Sequence, residues 1–93
     1  MTNASLDRSV HVPEGIVFRE LQGETVILNL ESGTYFGLDP IGTRIWQLCQ
    51  ERQSLQLVWD ALQDEFDAPA QDLRDDLIAF IDELSKHGLV ALR

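Results

Sequence analysis

Apolar and polar positions alternate through residues 24–30 and change to helical spacing after residue 40. In the first segment Val26, Leu28 and Leu30 share one face, and Thr25, Ile27 and Asn29 share the other. Upstream, residues 10–12 continue weakly across Pro13 into residues 16–21, giving one interrupted extended stretch. Downstream, residues 34–38 form a third strand, reached through a Glu31-Ser32-Gly33 turn in which Gly33 supplies a positive φ. Such short turns predict an antiparallel meander whose middle strand is covered on both sides, leaving the first and third strands as edges.

Asp39-Pro40 is a helix start, with Asp as cap and Pro at the first helical position. Ile41, Ile45 and Leu48 then form the apolar stripe of helix one. After a loop at residues 51–53, Ser54 caps helix two, whose stripe is Leu55, Val58, Leu62 and Phe66. Asp67-Ala68-Pro69 ends it. Helix three spans about residues 70–87, with Leu73, Leu77, Phe80 and Leu84 inward and Gly88 at the left-handed position beyond its end. Residues 89–92 form an apolar tail that should pack back on the core. Strands first and helices second predict an α+β fold. Residues 9–93 make a single domain and the polar residues 1–8 a loose tail.

Composition narrows the function. A chain of 93 residues with 44% apolar content holds one small core. One cysteine, Cys49, forms no internal disulfide, and His11 and His87 are too few for a His/Cys zinc cage, so no metal and no cofactor is expected. Seven basic against 16 acidic residues give −9, which argues against nucleic acid and against an anionic membrane surface. No apolar run approaches the ~18 residues of a membrane span, and the N-terminus lacks a signal-peptide core. A cytoplasmic protein with a free thiol is expected. The charge is local: nine acids and Arg74 put −8 between Asp60 and Glu83. Asp72, Asp76, Ala79 and Glu83 line one flank of helix three, either as a solvated face or as a surface for basic or polar ligand groups.

Two segments carry a resemblance. Residues 26–39, with Tyr35-Phe36-Gly37-Leu38-Asp39 and the following Ile45-Trp46, give the apolar strand, the turn, the "Y-x-x-L-N/D" strand and the "I-W" helix. Asp64-Glu65-Phe66 supplies the "E-F" helix end, and residues 75–90 the final helix ending in "L-x-x-x-G-L". Over roughly residues 10–92 the chain resembles the PqqD family of peptide chaperones, the recognition elements for ribosomally made, post-translationally modified peptides. The 35–39 stretch looks more like the type that binds lasso-peptide leaders.

The resemblance implies a winged helix-turn-helix-like domain, a three-stranded meander followed by three helices, without catalysis. It implies that the leader of a precursor peptide adds as a strand beside the third strand, in a groove against helix three. It also implies delivery to a modifying or processing enzyme: a leader peptidase, a cyclase or a radical-SAM enzyme. The candidate peptide-binding residues are Thr34, Tyr35, Phe36, Gly37, Leu38, Asp72, Asp76, Ala79, Phe80 and Glu83.

The residues suit that role. The third strand carries neither Lys nor Pro and reads as an unguarded edge, whereas Pro13 discourages pairing on the first stretch. Alternation puts Thr34, Phe36 and Leu38 on one face and Tyr35 and Gly37 on the other, with either face open to the groove. The ordinary alternatives are core roles for Tyr35, Phe36, Trp46 and Trp59, a packing role for Cys49, and a helix-end role for His87. Three rival functions are an enzyme, a winged-helix DNA-binding protein and a homodimerising interaction module. The acids of helix three argue against DNA, the small size argues against an active site, and the chain is expected as monomer or dimer.

Overall fold

The computed structural model describes residues 4–93. It contains β1 (Val10–His11), β2 (Ile16–Leu21), β3 (Glu24–Asn29), β4 (Tyr35–Leu38), α1 (Pro40–Arg52), α2 (Leu55–Glu65), α3 (Ala70–Lys86) and β5 (Ala91–Leu92). β2, β3 and β4 form an antiparallel meander in that order, and the three helices follow, an α+β architecture.

The interrupted first stretch is two strands in two sheets. Pro13 and the turn at Gly15 (φ +86°) divide it. β1 leaves the meander and pairs with β5, Val10 opposite Leu92 and His11 opposite Ala91. The C-terminal tail is therefore a strand, and it closes the chain ends together. Residues 4–8, expected within a loose tail, are also tied down. Ala4 is buried and donates its N–H to Asp82 Oδ1 at 2.7 Å, and Leu6 packs on the core. Residues 1–3 of that tail lie outside the described residues.

Local chemistry sets the boundaries. Asp39 Oδ1 accepts the Gly42 N–H at 2.7 Å with Pro40 in the first turn, and Ser54 Oγ accepts the Leu57 N–H at 3.4 Å. Helix one runs on through Glu51 and Arg52, so the loop before Ser54 shortens to Gln53. At the end of α3, Gly88 takes φ +72° and donates to Ser85 O, while the Leu89 N–H returns to Leu84 O. In the β3–β4 turn Gly33 has φ +73°, and Asn29 Oδ1 accepts the N–H groups of Glu31 and Ser32.

The core lies between the meander and the helices. Ile27, Leu38, Ile45, Trp46, Leu48, Val58, Leu62, Leu77, Ile81 and Leu84 are buried in it. Thr25 and Ile27 face inward, so Val26 and Leu30 of the opposite face lie in solvent. The hydroxyl of buried Thr25 donates to that of buried Thr43 at 2.9 Å and ties β3 to α1. Cys49 is buried, and desolvation pushes its thiol up to about 12, in keeping with a packing thiol. Arg44 and Glu65 join α1 to α2 through two 2.7 Å hydrogen bonds. Trp46 is fully inside and meets the edge of Phe18 at 5.2 Å. Trp59 is half-buried and donates to Ala70 O at 2.8 Å.

Candidate functional site

β4 is an edge strand, paired with β3 on one side only. The Asn29 N–H donates to Thr34 O at 2.9 Å, which makes Asn29 and Thr34 a hydrogen-bonded pair. Antiparallel alternation then turns the polar backbone groups of Phe36 and Leu38 toward Ile27 and Thr25, their partners in register. Those of Tyr35 and Gly37 are left directed at the open edge. No proline or lysine guards it. The opposite edge, β2, lies beyond Pro13 and is instead lined by the charged Arg19 and Glu20.

The face turned toward the helices is that of Phe36 and Leu38: Leu38 is buried and Phe36 half-buried, while Gly37 and Tyr35 are exposed. Tyr35, at 76% exposure, is not a core aromatic. α3 is pinned by Leu77, Ile81 and Leu84, which sends Asp76, Phe80 and the following His87 toward β4. Two recesses result. The first, about 290 Å³, lies between Phe36, Gly37, Leu38 and the start of α1 on one side and Asp76 and Phe80 on the other. The second, about 260 Å³, lies between Thr34, Tyr35, Phe36, His87 and Leu89. Phe36 belongs to both. Its ring centroid is 5.1 Å from that of His87, tilted by 41°.

The candidate residues divide accordingly. Thr34, Tyr35, Phe36, Gly37, Leu38, Asp76 and Phe80 line the two recesses. Glu83 is one step back, with Oε1 3.0 Å from His87 Nε2. Ala79 lines a different recess, with Ala4, Ser5 and Asp82, and exposed Asp72 lines none of the three. The four share one flank of α3, yet of them only Asp76 lines a recess beside β4.

Ile41, His87 and Leu89 were missed by sequence reasoning. Ile41 shares the stripe of Ile45 and Leu48 but is 60% exposed and lines the first recess. Gly42 lets this turn approach: a Cβ there would stand 3.3 Å from Phe80 Cε1.

The groove is an apolar floor of Phe36, Leu38, Ile45 and Phe80 with the carboxylates of Asp39 and Asp76 beside it. Asp39 is engaged as the α1 cap, whereas Asp76 forms no ion pair among the described residues. Such a floor next to unpaired backbone groups can hold an extended chain by main-chain pairing and seat its inward side chains. Among the described residues no three His, Cys, Asp or Glu side chains are grouped to hold a metal ion. No helix there is long and apolar enough to cross a membrane.

Two solved structures share this architecture. One, described as TbiB1 in complex with the TbiA(beta) leader peptide, is 32% identical, with a TM-score of 0.82 over 86% of this chain and 93% of that one. The other, described as lasso peptide synthetase B1 complexed with the leader peptide, is 22% identical, with a TM-score of 0.81 over 89% of this chain and 98% of that one, and supports the fold alone. No curated protein matches the chain. The family model described as coenzyme PQQ synthesis protein D matches residues 24–90, which run from β3 through β4, α1, α2 and α3. The chain belongs to the PqqD family.

Proposed function

We propose that this protein captures the leader segment of a ribosomally made precursor peptide and presents it to the enzyme that modifies or processes it. The leader adds as a fourth strand beside β4 and seats inward side chains in the two recesses flanking Phe36. Tyr35 and Gly37 supply the backbone hydrogen bonds, and Asp76 favours a leader with a basic residue nearby. The protein itself does no chemistry in this account. The observation that carries the reading is the unpaired β4 edge lying directly beside an apolar groove. The 32% identical relative, in complex with a leader peptide, supports it independently.

Fluorescence anisotropy with labelled leader peptides, the TbiA(beta) leader among them, tests it. Saturable binding in roughly the micromolar range is expected, since a disordered peptide loses entropy on pairing. Binding should be abolished in Gly37→Pro, which removes an outward N–H without touching the β3 ladder. Binding by none of the leaders, or equal binding by Gly37→Pro, contradicts the proposal.

A further inference from the structure

The free chain explains every glycine but one. Gly15, Gly23, Gly33 and Gly88 take φ between +72° and +86°, where a side chain is strained, and Gly42 is closely packed against Phe80. Gly37 meets neither condition. It is the third of four residues in β4, its backbone lies outside the left-handed region, and a Cβ there would meet nothing within 4 Å. Glycine weakens a strand through its backbone entropy and its missing side chain. Nothing within the free chain offsets that cost at residue 37. A bare strand position of this kind marks a place where a ligand approaches closely.

The sheet geometry says what would use the vacancy. Asn29 and Thr34 are a hydrogen-bonded pair, so Val26 and Gly37, three residues along, are a non-hydrogen-bonded pair with Cα atoms only about 4.5 Å apart. Val26 therefore stands directly beside the missing side chain. It is 52% exposed, and Tyr35, next along the same face of β4, is 76% exposed. On its other side Gly37 turns its N–H and C=O toward the open edge. A peptide residue paired with it there must place its own side chain on the face of the vacancy. From that residue Val26 is two strand spacings away, about 9.6 Å. An alanine or valine side chain falls short of it. A phenylalanine, tyrosine, leucine or methionine crosses Gly37 and reaches it, and any side chain at residue 37 would stand in the path.

We infer that Gly37 and Val26 form a third seat for the leader, selective for one long apolar side chain that lies across Gly37 and rests on Val26 beside Tyr35. The inference rests on the leader-binding reading. This seat is separate from the two recesses flanking Phe36, which take the side chains turned toward the helices. The leader is then selected on both faces of its strand. A leader with a small or polar residue opposite Gly37 pairs with β4 but leaves the vacancy empty, and binds more weakly.

The test uses the full chain and the tightest-binding leader of the anisotropy panel. Titrations compare wild type, Gly37→Ala, Gly37→Val and Val26→Thr, with circular dichroism confirming the fold of each. All three variants keep the backbone donor and place a tolerated residue at an exposed strand position, so none should melt earlier than wild type. Leader affinity should fall by about threefold in Gly37→Ala and Val26→Thr, and by about tenfold or more in Gly37→Val. An alanine scan of the leader against each protein then locates the residue that fills the seat. At one long apolar position the alanine change should weaken binding to wild type but have little further effect on Gly37→Val. Unchanged affinity in Gly37→Val overturns the inference while leaving wild-type leader binding intact. So does a scan in which no leader position is coupled to Gly37. Failure of wild type to bind any leader overturns the leader reading, and the third seat with it.

Discussion

The Phe36 ring packs 5.1 Å from the His87 imidazole and separates two recesses along the open side of β4. Phe36 therefore closes the end of α3 against the sheet and shapes both seats for a ligand. Phe36→Ala should merge the recesses and lower leader affinity by about tenfold or more. It should cost about 1–2 kcal/mol in stability, below the range for a fully buried Phe because the ring is half exposed. Phe36→Leu should recover most of the stability but not the affinity. Thermal melts and anisotropy titrations of the two variants check this.

The Thr25–Thr43 hydroxyl pair links β3 to α1 beneath the groove. Thr25→Val alone strands the Thr43 hydroxyl in the core and should cost about 1–2 kcal/mol. The double change to Val should cost less than the sum of the two single changes, because no polar group is then left without its partner. Urea denaturation of the four proteins in a double-mutant cycle measures the coupling.

Cys49 should be inert in the folded protein. Burial pushes its thiol up to about 12, so almost no thiolate exists at neutral pH. Ellman's reagent should report no reactive thiol under native conditions and one per chain in denaturant.

Glu65 is held below its ordinary value of 4.5, first by its hydrogen bond to Arg44. A depressed carboxylate stabilises the fold above its unfolded pKa, and that contribution disappears as pH falls through the folded value. Glu65→Gln should therefore lower Tm at pH 7, by about 1–4 °C for a pair of this exposure, and the gap should close on acidification below pH 4.5. A gap independent of pH would show that the ion pair contributes nothing.

The chain announces its punctuation more clearly than its pairings. Asp39-Pro40, Ser54, Gly33 and Gly88 act through groups within a few residues, so their roles are legible locally. The partner of Val10–His11 is Ala91–Leu92, and no nearby residue signals that distant pairing. The inner face of the meander was also hidden. Val26-Ile27-Leu28 is apolar on both faces, and the inner one is set by tertiary contacts, Thr25 with Thr43 and Ile27 in the core. β4 and Phe80 could be named from the chain, and both line the groove. For Asp72, Ala79 and Glu83 a helical wheel gave the angle on α3 but not what stands opposite. Ile41 follows the same rule, since its stripe predicted burial but it stands exposed at the rim of the first recess.

Residue-resolved amide hydrogen exchange, with and without a saturating leader peptide, tests the central claim most directly. The free protein should exchange the Tyr35 and Gly37 amides quickly, because they point at the open edge, and that of Phe36 slowly, because it pairs with β3. Leader binding should protect Tyr35 and Gly37 selectively. If the leader binds while both amides continue to exchange at their free rates, strand addition at β4 is contradicted.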